Sequence, residues 1–221
     1  MYKVKVLMTG FVTHDTKRFV VEKPKNYNFV PGQATMVSID KKGWQNEKRP
    51  FTFTSLNDDL VLEFTLKRYP DHKGVTEQMH NLKPGDRLVI EKPFGAIKYK
   101  GPGTFIAAGT GITPFIAIFR QLKKDNKVNG NKLIFSNKTH DDIILEPELK
   151  HIFGSASFIC TLTREKCNDY ASGRINENFL KSIIKDFKQH FYICGQPNFV
   201  LDIKNILKKF GAKSDQVVIE E

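Results

Sequence analysis

Cysteine is scarce, with three among 221 residues, at positions 160, 167 and 194. That spacing offers neither a disulfide framework nor a set of metal ligands, and it suits a reducing cytoplasm. No apolar run approaches the roughly 20 residues needed to cross a bilayer. There is no run of five or six Lys or Arg, no internal repeat and no low-complexity tract. A basic helix, a Cys/His metal spacing or an aromatic-basic strand signature would mark a nucleic-acid binder, and none stands out. What the chain does have is 18 Phe and 40% apolar residues, which argue against disorder. It also carries a net charge of +11, divided as +7 over residues 1–100 and +4 over 101–221. Such a surplus fits an anionic ligand, an acidic protein partner, nucleic acid or mere solubility.

The two halves have different hydrophobic periods. Met1-Tyr2-Lys3-Val4-Lys5-Val6 alternates polar and apolar residues and reads as a strand rather than a signal peptide. Further β-rich segments follow at 19–21, 36–39, 51–53, 60–66 and 88–90, separated by Pro31-Gly32, Asn57-Asp58-Asp59 and Pro84-Gly85-Asp86. Short alternating strands at this spacing predict an antiparallel barrel or sandwich, with one short helix near Val75–His80. After Lys100-Gly101-Pro102-Gly103, a natural linker, strands alternate with helices. Strands are expected at 104–108, 132–135, 156–159 and 190–194, and helices at 114–122, 176–184 and 199–210. That rhythm predicts a doubly wound parallel sheet. The expected architecture is therefore two domains, 1–100 and 101–221.

Four short motifs carry candidate chemistry, and each alone also reads as ordinary structure. Arg49-Pro50-Phe51-Thr52-Phe53 lies on a barrel strand. Alternation places Arg49, Phe51 and Phe53 on one face and Thr52 and Thr54 on the other. A guanidinium forks onto phosphate, an aromatic stacks on a flat ring, and a hydroxyl bonds a ring heteroatom. Lys73-Gly74-Val75-Thr76 opens the short helix, where free N–H groups favour an anion. Gly109-Thr110-Gly111-Ile112-Thr113-Pro114 directly follows the first strand of the second half. Its glycines permit close backbone approach to a phosphate, and the carboxyl ends of parallel strands are where open sheets bind ligands. Tyr192-Ile193-Cys194-Gly195-Gln196-Pro197 ends a late strand and places a small thiol at the mouth of the same crevice.

Taken together, the order and spacing of these motifs resemble the ferredoxin–NADP reductase superfamily, which includes cytochrome b5 reductases and flavodoxin reductases. The resemblance covers nearly the whole chain. Arg49, Phe51 and Thr52 match the family's Arg-x-Tyr-Ser/Thr flavin motif with Phe in place of Tyr. Gly74 to Thr76 correspond loosely to its pyrophosphate motif, Gly109 to Pro114 to its nicotinamide motif, and Cys194-Gly195 to its Cys-Gly-Pro. Pro93-Phe94-Gly95 is also similar.

The resemblance implies a six-stranded FAD barrel followed by an NAD(P)-binding α/β domain, with FAD in the crevice between them. It implies that Arg49, beside Pro50, and the backbone of Gly74, Val75 and Thr76 hold the pyrophosphate. Thr52 would bond near flavin N5 and O4, Phe51 would pack on the flavin, and Lys67 and Tyr69 would lie along it. Gly109, Thr110, Gly111, Thr113 and Pro114 would seat the nicotinamide dinucleotide. Cys194 and Gly195 would place its C4 for hydride transfer to N5, which makes Thr52 and Cys194 the implied catalytic pair. Arg164, in Thr163-Arg164-Glu165-Lys166, sits where NADP-dependent members place a 2′-phosphate clamp, whereas Asn137 to Ile143 resembles NADH-dependent members.

The chain has no aromatic at its end to cover the flavin, so the nicotinamide side of the flavin is expected either to be open or to be covered by Tyr69 or Phe191 instead. It has no plant-type iron–sulfur Cys run. The implied activity is transfer of electrons from NAD(P)H, with a lean to NADPH, through FAD to a separate acidic acceptor such as ferredoxin or flavodoxin. The alternatives are a reductase component of a multi-protein oxygenase and a non-enzymatic basic binding module.

Overall fold

The computed structural model describes residues 1–69, 74–95 and 97–219, so Lys73 lies outside the described residues. The chain divides into two compact units, one of residues 1–96 with 113–121 and the other of 97–112 with 122–219 and the chain end.

In the first unit, β1 (Tyr2–Phe11), β2 (Thr16–Glu22), β3 (Ala34–Ile39), β4 (Arg49–Thr52), β5 (Val61–Lys67) and β6 (Arg87–Ile90) pair antiparallel in the order β4-β3-β6-β1-β2-β5. A bridge between Phe53 and Phe64 joins the two ends, so the sheet is a nearly closed barrel. Alternation decides which residues face inward. Val4 and Val6 of β1, Phe19 and Val21 of β2, Leu62, Phe64 and Leu66 of β5, and Leu88 and Ile90 of β6 form one core. A bulge between Val6 and Met8 breaks the β1 register and leaves Leu7 and Met8 both exposed. α1 (Val75–His80) closes on this core with Val75 and Met79.

The sequence's face assignment for β4 holds for Phe51 and Phe53, which are buried. Thr54 is buried as well, because the outer face of β5 is covered there. Arg120 of α2 (Thr113–Lys124) donates to the Thr54 carbonyl and to Glu63 Oε1, each at 2.6 Å. Thr54 Oγ1 adds a 2.8 Å bond to the same carboxylate oxygen.

The second unit holds a parallel sheet of β7 (Gly103–Ala108), β8 (Lys132–Asn137), β9 (Phe158–Leu162), β10 (Ala171–Ser172), β11 (His190–Cys194) and β12 (Val217–Ile219), in the order β10-β9-β8-β7-β11-β12. Phe105-Ile106-Ala107, Leu133-Ile134-Phe135 and Phe191-Tyr192-Ile193 are wholly buried runs, as strands covered on both faces must be. Tyr192 brings a hydroxyl into this core. It accepts from the Lys100 and Gly101 N–H groups and donates to Gly101 O at 2.8 Å, which anchors the chain entering β7.

The expected strand at 156–159 is corrected at its start. Ala156 and Ser157 end α3 (Glu146–Ser157), and β9 begins only at Phe158. α3 was not expected. Its stripe of Leu149, Ile152 and Phe153 is buried, but Leu145 opens it in the left-handed region and the strand follows with no linker. α4 (Glu177–Ile183), capped by the Asn176 side chain on Phe179 N–H, and α5 (Pro197–Lys209) fall where the apolar stripes put them.

Candidate functional site

The barrel unit contains a cavity of about 560 Å³ lined by Arg49, Pro50, Phe51, Tyr69, Gly74, Val75 and Thr76. Three separate segments meet there: β4, the end of β5 and the first turn of α1. Pro50 and Val75 make the walls apolar, Phe51 and Tyr69 add ring faces, and Arg49 stands at the exposed start of its strand. Arg49 is not buried in an ion pair. It donates to Lys48 O at 2.7 Å and lies 3.6 Å from Glu47, with half of its side chain in solvent. Gly74 caps α1 without a side chain, so the first-turn N–H groups have no capping hydroxyl or carboxylate of their own.

Two sequence-expected flavin residues are not among the lining. Thr52 sits at the end of β4, half-buried and paired with Ala34. Lys67 is drawn to Asp15, with Nζ 2.5 Å from its carboxylate. Phe51 has a double part, since it lines the cavity and also belongs to the barrel core. Of the two aromatics offered as flavin covers, Tyr69 is partly exposed on the cavity, whereas Phe191 is wholly buried in the parallel sheet and is ruled out.

α1 rests on a buried histidine. His80 Nε2–H donates to Leu66 O at 2.8 Å, and its own carbonyl accepts from Lys17 Nζ at 2.7 Å. Burial lowers the His80 pKa below the usual 6.5; the Leu66 bond opposes this, while Lys17 and Arg68 add to it. The unfolded chain therefore takes up a proton first as pH falls. Stability is present above about 6.5 and is lost as pH drops below it toward the folded value. The urea midpoint of the wild type is expected to fall between pH 7 and pH 5.5, with a shallower fall in His80→Gln. An equal fall in both proteins contradicts this assignment.

The second unit places a separate set of groups at the carboxyl ends of its strands. The chain runs from β7 through β8 to β10 in one direction, then returns to β11 on the other side of β7. The reversal point is where ligands of open parallel sheets bind. Gly109, Thr110, Gly111 and Ile112 form a tight helical turn there, leading into Thr113 and Pro114 of α2. Gly111 lies against the end of β11 so closely that a Cβ would stand 2.3 Å from Cys194 O and 2.7 Å from Gly195 N. Gly195 is similarly confined, by Phe199. The turn and the Cys194-Gly195 corner are thus one packed unit. Cys194 itself is buried. Arg164 is exposed just past β9, with its backbone N–H on Lys138 O at 2.8 Å.

Glu63, Arg120, Glu146 and Tyr170 carry no signal in the sequence. They are joined by tertiary contacts between residues far apart in the chain, and no spacing marks them.

Comparison with known proteins follows the same division. Residues 3–99 match the family model described as oxidoreductase FAD-binding domain, and residues 105–205 match that described as oxidoreductase NAD-binding domain. NADH-cytochrome b5 reductase 2-A of Vanderwaltozyma polyspora is 29% identical, over 93% of this chain and 79% of that protein. The ferredoxin–NAD(P)(+) reductase component of the naphthalene 1,2-dioxygenase system of Pseudomonas putida is 23% identical, over 93% of this chain and 64% of that one. Among solved structures, the flavohem-like FAD/NAD binding domain of nitric oxide dioxygenase from Vibrio cholerae superposes with a TM-score of 0.87 at 20% identity, covering 98% of this chain and 96% of that one. With the barrel, the parallel sheet and both domain families in one chain, this protein belongs to the ferredoxin–NADP reductase superfamily of flavin-dependent oxidoreductases.

Proposed function

We propose that the chain binds FAD in its barrel domain, residues 1–100, oxidises NAD(P)H on its α/β domain, residues 101–221, and passes electrons to a separate acceptor protein. The observation that carries this reading is the cavity of the barrel unit, six of whose seven lining residues come from the two flavin motifs, the seventh being Tyr69. Its contents suit the group. There is a cation for a pyrophosphate, a helix turn with uncapped N–H groups, two aromatic rings and apolar walls, in a volume typical of ligand sites. The bound flavin supplies a hydride acceptor and a one-electron donor in a single ring.

The chain's own residues orient and neutralise. Arg49 turns from Lys48 O to the pyrophosphate, as a guanidinium prefers a forked phosphate bond to a single carbonyl. Val75 and Thr76 offer N–H groups, with Thr76 adding a hydroxyl. Tyr69 shields the ring. Thr52, at the end of β4, would hydrogen-bond the flavin ring. At the other site Gly109, Thr110, Gly111, Thr113 and Pro114 receive the nicotinamide dinucleotide, and Cys194 and Gly195 position its reactive ring.

Arg49→Ala tests the reading. Loss of one charge-assisted phosphate contact is expected to weaken FAD binding roughly ten- to a hundredfold, so that the variant purifies with less yellow colour. Wild-type protein that takes up no FAD, or a variant that retains it fully, counts against the site. Reduction of the loaded wild type by NADPH or NADH in the same stopped-flow assay decides the nicotinamide preference. Exposed Arg164 favours the 2′-phosphate of NADPH, while the name of the Vanderwaltozyma relative carries NADH.

The acceptor on this reading is an acidic electron carrier such as ferredoxin or flavodoxin. The net charge of +7 on residues 1–100 supports it, through faster encounter that weakens with salt. A second reading, a reductase component serving an oxygenase, is favoured by the Pseudomonas relative.

A further inference from the structure

The chain leaving β9, residues 163–170, is an arm held along its length. At its root Thr163 N–H donates to Asn137 O at 2.9 Å and Arg164 N–H to Lys138 O at 2.8 Å. In its middle the Glu165 carboxylate accepts the His140 backbone N–H at 2.7 Å. At its far end the Tyr170 hydroxyl donates to Glu146 Oε1. Glu146, the first residue of α3, is a hub. Lys150 Nζ lies 2.6 Å from its carboxylate and His140 Nε2 lies 2.9 Å from it. Lys150 also stands over the Tyr170 ring, 5.2 Å from its centroid.

This cluster is more than a set of surface ion pairs, each of which contributes little. The Glu146 side chain is only 16% exposed. Burial works against its charge, and the bonds from Lys150 and Tyr170 outweigh that and hold its carboxyl below the usual range. The Tyr170 phenol is pushed up to about 12, by burial and then by Glu146. It therefore remains a donor throughout the neutral range.

What the arm carries gives the latch a purpose. Arg164 and Lys166 are exposed on it, beside exposed Lys138 at the end of β8. These cations stand one and two strands from the Gly109 to Ile112 turn of β7, on the side away from Cys194. At about 4.8 Å per strand, the arm lies roughly 10 Å from the turn. A dinucleotide with its pyrophosphate on the turn and its nicotinamide toward Cys194 sends its adenosine half to the arm.

We propose that the Glu146–Tyr170 latch positions the 163–170 arm for the adenosine end of the dinucleotide, with Tyr170 and Glu146 as positioning residues that touch no reacting atom. The proposal rests on the dinucleotide reading of the β7 turn. Tyr170→Phe is the test, since it keeps the ring under Lys150 and removes only the hydroxyl. Two quantities are measured on FAD-loaded enzyme: steady-state oxidation of NADH and NADPH with ferricyanide, and calorimetric binding of 5′-AMP and adenosine 2′,5′-bisphosphate, which lack the nicotinamide. KM is expected to rise about fivefold with kcat within twofold, and affinity for the fragments is expected to fall in parallel. Glu146→Gln is expected to do the same, and the double variant to add little. Unchanged KM and fragment affinity, or a fall in kcat alone, overturns the latch. If wild-type enzyme binds neither fragment and Gly111→Ala leaves NAD(P)H oxidation intact, the dinucleotide reading falls and the latch with it.

Discussion

Gly111→Ala is expected to lower kcat/KM for NAD(P)H by about a hundredfold or more while leaving the flavin in place. The added Cβ would stand 2.3 Å from Cys194 O, 2.5 Å from Cys194 C and 2.7 Å from Gly195 N. All three are backbone atoms, so no flexible side chain can swing aside. They close a strand that pairs with β7 on one side and β12 on the other, with Ile193 wholly buried. Moving β11 breaks its pairing with both neighbouring strands, whereas the turn before α2 takes part in no strand ladder. The turn therefore gives way, and the dinucleotide seat shifts by about an ångström, a displacement that costs about two orders of magnitude in an oriented reaction.

The cavity of the barrel unit shares no residue with this turn, so the FAD content of the variant is expected to match wild type. Dithionite should still bleach it. Stopped-flow mixing with NADH and NADPH separates the two steps. A variant that is reduced within threefold of the wild-type rate shows that the Gly109 to Ile112 turn is not the nicotinamide seat.

The elements that could be read from the sequence are those whose signal is local. Period-two alternation marked five barrel strands and the Arg49 strand, because one face of each is core. α1 was legible as Val75–His80, and β11 as His190–Cys194. α3 was missed although Pro147 and the acidic Glu146 and Glu148 mark its first turn, because Leu145, with positive φ, stands where a capping Ser, Thr, Asp or Asn would and its end runs straight into β9. The flavin side of the site was legible wherever chemistry and position coincide, as at Arg49, Phe51 and Gly74 to Thr76. Lys67 was less so, since nothing near it in sequence announces Asp15 as its partner. Phe191 offered an aromatic, but five consecutive residues of a strand covered on both faces leave no ring free for a ligand.

Least legible was the Arg120 cluster, and it carries the largest stability effect expected from a single substitution. Glu63 sits in mid-β5 on the face turned away from the barrel core, where a carboxylate normally meets water. Here its side chain is 11% exposed and that of Arg120 is 19% exposed. Arg120 satisfies both the Glu63 carboxylate and the Thr54 carbonyl. Thr54 Oγ1 donates to the same carboxylate, and Ser55 Oγ accepts the Glu63 N–H at 3.0 Å.

Arg120→Ala removes the strongest donor and leaves a largely buried charge and a buried carbonyl behind. Such half-removals typically cost about 3–5 kcal/mol. Arg18 Nε, 3.8 Å from Glu63 Oε2, compensates in part, so about 3 kcal/mol is expected. Arg120→Met with Glu63→Gln, which withdraws both charges and keeps most of the volume, should recover more than half of the loss. Urea unfolding read at the transition that releases the flavin measures both variants. Thr54 lies two residues beyond Thr52, so the single variant should also release FAD more readily at a fixed urea concentration. If Arg120→Ala unfolds within 1 kcal/mol of wild type, or the double variant is the weaker of the two, Glu63 is solvated in solution and the cluster does not hold the Arg49 strand.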